Sequence, residues 1–162
     1  MEEIVIEINN LSKKFKDTLA VKSMNFKIHK GQTIGLLGPN GCGNLIKFKN
    51  KKTGELSSGQ KNRVSLAKAF INDPEILLLD EPTASLDPDV GDYVRSIIEN
   101  FSSKNEKTIL IASHNMNEVE RLCDEVMMMK NGEIVDRGKS IDLIKKHGRK
   151  NLEDFFLKIV RE

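Results

Sequence analysis

The sequence has little of what would place a protein outside the cell or within a bilayer. Two cysteines, Cys42 and Cys123, stand among 162 residues. They make no disulfide framework, and a reducing cytosol fits. No apolar run approaches the ~20 residues of a spanning helix. No charged-then-apolar leader opens the chain, so Asn10-Leu11-Ser12 and Asn100-Phe101-Ser102 are read as chance matches to the glycosylation pattern. One-sided charge is also missing. Basic residues number 26 and acidic residues 24, a net charge of +2, too balanced to argue for a nucleic-acid partner. Internal repeats and low-complexity stretches are absent.

What remains is the composition of one solvated globular domain. Hydrophobic residues make up 38% and charged residues 31% of the chain. A chain of this length is most simply one domain, burying roughly two-thirds of its unfolded surface.

Periodicity places the elements. Ile4–Ile8 and Ala20–Ile28 alternate and are predicted strands, with a charged turn over Lys13–Asp17. Thr33–Leu37, Ile76–Leu79 and Thr108–Ala112 are short apolar runs, predicted to be strands buried on both faces. Ser58–Phe70, Pro88–Phe101 and Asn115–Leu122 are predicted helices; Asp73-Pro74 ends the first and Pro88 sits in the first turn of the second. Glu125–Met129 and Glu133–Asp136 form a hairpin about Asn131-Gly132. Ile141–Lys146 and Leu152–Ile159 are predicted terminal amphipathic helices. Strands alternating with helices in the middle of the chain predict an α/β fold with a mostly parallel core sheet. The strands at either end read as an antiparallel flank.

Four stretches carry chemistry, each with a plainer reading beside it. Gly38-Pro39-Asn40-Gly41-Cys42-Gly43 follows a buried strand. Its glycines let backbone N–H groups turn inward as an anion nest; the same residues also make an ordinary strand-to-helix turn. Asp80-Glu81 closes an apolar strand, where an aspartate can hold Mg²⁺ and a glutamate can act as general base. A turn-starting cap before Pro82-Thr83 is the alternative. Leu56-Ser57-Ser58-Gly59-Gln60 offers hydroxyls and N–H groups at a helix start, as an anion site or as a serine-rich cap. His114 follows the strand Thr108–Ala112, where parallel sheets bind ligands; a loop histidine satisfied by its surroundings is the commoner case. His29 and His147 are assigned no role, and Met127–Met129 is read as core.

The order of these stretches resembles the ATP-binding subunit of an ABC transporter. LSSGQ resembles the family's signature, ILLLDEP its Walker B, SLD its D-loop and SHN its switch histidine. The resemblance covers nearly the whole chain and is most specific from Leu56 to Asn115. The tail, Arg149–Leu157, resembles ABC-2 exporter-type subunits.

The resemblance implies a P-loop NTPase core and a head-to-tail dimer, homomeric or heteromeric, that sandwiches two ATP molecules. Phe15 would stack on adenine. Gly38, Pro39, Asn40, Gly41, Cys42 and Gly43 would cradle the phosphates. Ser57, Ser58, Gly59 and Gln60 would touch the partner's γ-phosphate. Asp80 would hold Mg²⁺, Glu81 would orient water, His114 would contact the γ-phosphate and Asp87 would bridge the chains. An integral membrane subunit would be driven between access states, with this subunit peripheral at the cytoplasmic face of the cell membrane.

One departure is large. The phosphate-loop pattern is G-x-x-x-x-G-K-[ST], but Gly43 is followed by Asn44-Leu45, and the signature begins at Leu56. The lysine, the hydroxyl, the glutamine loop and the helical subdomain are missing from the stretch. Either the chain is genuinely shortened, or segments of a longer chain meet here with residues left out between them. Both flanks resemble motif edges, Asn44–Lys47 the end of the phosphate-loop helix and Lys51–Glu55 the run into the signature, which favours the second. An intact mass near 18.3 kDa would contradict it. Loss of the lysine removes a charge-assisted contact worth about 1.5–3 kcal/mol, so weak ATP binding and negligible turnover are expected of the chain as it stands. The competing expectation is a shortened nucleotide-binding module acting in regulation or interaction without ATPase activity. A soluble ABC ATPase of DNA repair or translation fits less well, since its usual insertions or second domain are absent.

Overall fold

The computed structural model describes residues 3–15, 18–38, 58–103 and 107–161, with the backbone alone for Phe15, Thr18 and 58–60. Two long strands open the chain, β1 (Ile4–Phe15) and β2 (Thr18–His29), paired antiparallel as a sheet of their own. β1 runs through the lysines predicted to form a turn. Its register with β2 shifts between Ile8 and Leu11. There Asn10 and Ser23 take positive φ (51° and 45°). The Asn10 N–H donates to Asn25 Oδ1 (2.7 Å) and the Ser23 N–H to Ser12 Oγ (2.9 Å). Side-chain oxygens thus satisfy the donors that the bulges free from the ladder.

The second sheet has the order β4-β5-β3-β6-β7, made of β3 (Thr33–Leu37), β4 (Ile76–Asp80), β5 (Thr108–Ala112), β6 (Glu125–Lys130) and β7 (Glu133–Gly138). Its first four strands are parallel, and β7 returns antiparallel to β6. The helices are α1 (Ser58–Phe70), α2 (Pro88–Ser103), α3 (Met116–Leu122), α4 (Ser140–Lys146) and α5 (Leu152–Arg161).

These elements form three layers. One face of the five-stranded sheet buries Ile34, Leu36, Met127 and Met129 against Val21, Met24 and Ile28 of β2. The other face buries Leu77, Leu79, Ile109 and Ile111 against α1 and α2. Beside them Leu37, Val126 and Met128 pack with Val119, Leu143, Leu152 and Phe155 from α3, α4 and α5. β3 is buried at every position, as its apolar run predicts. β4 is not: Leu77 and Leu79 are buried, while Ile76, Leu78 and Asp80 are exposed. Among the described residues β4 is an edge strand with a helix layer on one side, so half of its apolar run faces outward.

Candidate functional site

Parallel strands bring their C-terminal ends to one edge of the sheet. Here β3, β4 and β5 end together, with Leu36 and Asp80 each in register with Ala112. Gly38 follows β3, Glu81 follows β4, and Ser113-His114 follows β5. Two backbone hydrogen bonds sew the ends together. The Glu81 N–H donates to Ala112 O (2.8 Å) and the Ser113 N–H to Leu36 O (3.3 Å).

Glu81 leaves its strand at φ 49°, a conformation costing a non-glycine residue on the order of 1 kcal/mol. The turn carries its carboxylate to His114. Oε1 accepts from the His114 N–H (3.0 Å) and lies 2.6 Å from His114 Nδ1. One proton between ring and carboxylate completes this contact. Asp80 is exposed at the same edge. Partial desolvation of the carboxyl by its neighbours first, and the adjacent Glu81 charge second, push it above the usual carboxylate range. A carboxylate so placed favours a cation. Mg²⁺ takes one or two carboxylates and completes its shell with water and substrate phosphates, so Asp80 fits Mg²⁺ delivered with a nucleotide. Among the described residues no group of three or more His, Cys, Asp or Glu side chains stands ready to bind a metal.

His114 is held by a network that motif reading misses. Ser113 Oγ donates to Glu118 Oε2 (2.6 Å) and accepts from the Asn115 N–H (3.1 Å). Asn115 caps α3, its Oδ1 accepting from the Glu118 N–H (3.3 Å). Glu118 is only 1% exposed. The spacing Asn115-x-x-Glu118 is a helix-start signature, and that was the available signal. A cavity of about 330 Å³ opens beside His114, bordered by Asn117 and Glu120 of α3 and by Glu153 and Phe156 of α5.

The predicted residues fall into four groups. Asp80, Glu81 and His114 come together with Gly38 at the sheet edge. Asp87 is exposed just before α2, its carbonyl accepting from the Gly91 N–H (2.8 Å). Ser58, Gly59 and Gln60 occupy the first turn of α1, which carries no acidic residue. Pro39, Asn40, Gly41, Cys42, Gly43 and Ser57, with the Phe15 side chain, lie outside what is described. Cys123 is a free thiol. Burial first, then the Glu118 and Asp124 charges, push it far up, so it stays protonated.

The family described as ABC transporter matches residues 44–84. A methionine import ATP-binding protein MetN of Staphylococcus haemolyticus (strain JCSC1435) is 38% identical over 108 residues, 67% of this chain and 30% of the relative. The ABC transporter ATP-binding protein NatA of Bacillus subtilis (strain 168) is 38% identical over 115 residues, 70% of this chain and 46% of the relative. By sequence and by fold this is an ABC-type nucleotide-binding chain. Among solved structures, a nucleotide-free ATP-binding cassette from an ABC transporter superposes with a TM-score of 0.73 at 17% identity, covering 90% of this chain and 94% of that one. A dimeric bacterial ABC transporter cassette superposes with a TM-score of 0.69 at 20% identity, covering 82% and 97%. The ABC-type chain spans less than half the length of each curated relative named here.

Proposed function

We propose that this chain is the ATP-binding subunit of an ABC transporter, which handles Mg–ATP at a head-to-tail interface with a second ATP-binding subunit. The observation that carries the reading is the meeting of Asp80, Glu81 and His114 where β3, β4 and β5 end, with Glu81 Oε1 2.6 Å from His114 Nδ1. Mg²⁺, when bound, neutralises phosphate charge. Asp80 is the residue that would hold it. Glu81 orients the attacking water and takes its proton. His114 already touches the Glu81 carboxylate, and it donates to the γ-phosphate when that contact opens. Ser58, Gly59 and Gln60 at the start of α1, with Ser57 before them, serve the nucleotide of the partner chain, and Asp87 meets that partner.

Work on a membrane substrate belongs to an integral membrane subunit. No helix of the described residues is long and apolar enough to cross a membrane, which suits a peripheral place at its cytoplasmic face. The relatives named for methionine import do not favour the exporter type that the tail resembles, so the proposal stops at ATP-driven transport.

The family match begins at Asn44, directly after Gly43. It supports a join at that point, with 44–55 leading into the signature. In a chain of this sequence as it stands, Asn44-Leu45 occupy the place where a phosphate loop has lysine and a hydroxyl, and such a chain is proposed to bind Mg–ATP weakly and to turn it over negligibly. Equilibrium titration with Mg–ATP tests the reading. Binding that Asp80→Asn weakens tenfold or more supports it; binding indifferent to Asp80→Asn contradicts it. An ATPase assay adds the catalytic part: any turnover that survives Glu81→Gln would remove Glu81 from its role.

A further inference from the structure

The geometry points to Asn62 as a positioning residue that ties the N-terminal half of α1 to the loop carrying Glu81 and Asp87. The Asn62 side chain is half-buried on α1, two residues beyond Gln60. Its Nδ2 donates to two carbonyls of that loop, Pro82 O (3.0 Å) and Ala84 O (3.2 Å). An amide NH₂ has two donors, and this one uses both on a single loop. The loop needs holding. Glu81 and Ser85 both take positive φ (49° and 62°), and a strained turn persists only where its surroundings over-determine it. Within the loop the Ala84 N–H donates to Glu81 O (3.1 Å) and the Leu86 N–H to Thr83 O (3.3 Å). Leu86 packs into the cluster that contains Leu66, one turn further along α1. Asn62 therefore supplies the polar half of a contact whose apolar half is Leu66 and Leu86.

The consequence concerns communication between two nucleotides, and it rests on the proposed ATP-handling reading. Ser58, Gly59 and Gln60 face the partner's nucleotide in that reading, while Glu81 serves the chain's own. A displacement of the start of α1 reaches the Glu81 loop through Asn62, and from Glu81 it reaches His114. Asn62 acts through the loop, by its bonds to Pro82 O and Ala84 O.

Amide hydrogen exchange and the His114 ring resonances, recorded on the full chain without nucleotide, test this whether or not the chain binds ATP. Asn62→Ala removes both donors. Asn62→Asp keeps the size but sets an acceptor against two carbonyl oxygens. In both variants exchange at Ala84 and Leu86 is expected to rise about tenfold or more, from the loss of two hydrogen bonds. The His114 ring signals are expected to move, while exchange in β6 and α5 stays as in the parent. Asn62→Gln, which keeps the carboxamide, is expected to bring both readouts back toward the parent. Unchanged exchange at Ala84 and Leu86 would overturn the assignment. So would a rise shared equally by β6 and α5, or unfolding of both variants, since each marks a merely structural asparagine.

Discussion

Asp80 and Glu81 are neighbours with different fates. Asp80 faces outward at the sheet edge with its carboxyl pushed up by partial desolvation and by the Glu81 charge, while Glu81 finds a donor in His114. A carboxyl raised in the folded state favours folding as pH falls through the ordinary carboxylate range, and opposes it once ionised. Asp80→Asn is therefore expected to raise the unfolding midpoint at pH 7 slightly while weakening Mg–ATP binding. An unchanged or lower midpoint in a thermal melt would contradict the environment described for Asp80. Gly35 makes a second residue-scale prediction. A Cβ there would lie 2.8 Å from Val119 Cγ1 and 3.0 Å from Cys123 Sγ. Gly35→Ala should cost about 1–3 kcal/mol by overpacking, measured by denaturant titration, and Val119→Ala in the same chain should recover part of it. At this scale the sequence shows Asp80, Glu81 and His114 because each stands at the end of an apolar run. Ser113, Glu118 and Asn62 stay hidden, because their roles depend on partners that only folding brings near.

The terminal elements are held by a polar lock on Asp136 of β7. His147 Nε2 lies 2.6 Å from Asp136 Oδ2, and Lys146 Nζ lies 2.9 Å from both carboxylate oxygens. The His147 ring also stacks on Phe155 of α5, with centroids 4.5 Å apart. Burial alone would push the Asp136 carboxyl up. Hydrogen bonds from His147, Lys146 and the Arg137 N–H outweigh it and hold the carboxyl below its usual value. A depressed carboxyl contributes stability above its unfolded pKa, about 4, and loses it as pH falls through the lower folded value. Exchange protection of α4 and α5 is thus expected to fall below about pH 4, and Asp136→Asn to remove that dependence. A pH-independent tail in the parent would contradict the lock. The β6–β7 turn is legible in advance, since Asn131 and Gly132 take φ 51° and 83° as their types suggest. What is not legible is that the turn also docks on β2. The Lys22 N–H donates to Gly132 O (2.9 Å), and a Cβ on Gly132 would lie 2.7 Å from Ala20 O. The edge position of β4 is hidden for a similar reason. An apolar run of four reads as buried on both faces, and only the strand order reveals which face stays open.

At the scale of the molecule, two sheets and a helix layer place the chemistry along one edge, and the chain order of motifs is enough to expect it. The sequence also shows where the arrangement is incomplete, at Gly43-Asn44-Leu45, because a six-residue glycine turn lacks the lysine and hydroxyl that should follow. The central claim is that this edge is a Mg–ATP site weakened at that one place. Titration of Mg–ATP into the parent chain and into a chain with Asn44→Lys and Leu45→Ser tests it most directly. The double substitution restores G-x-x-x-x-G-K-S, and a regained charge-assisted contact should tighten Kd by roughly tenfold to a hundredfold, with the gain lost again on Asp80→Asn. No gain in affinity, or a gain that survives Asp80→Asn, would show that Gly38–Gly43 and Asp80 do not share one nucleotide.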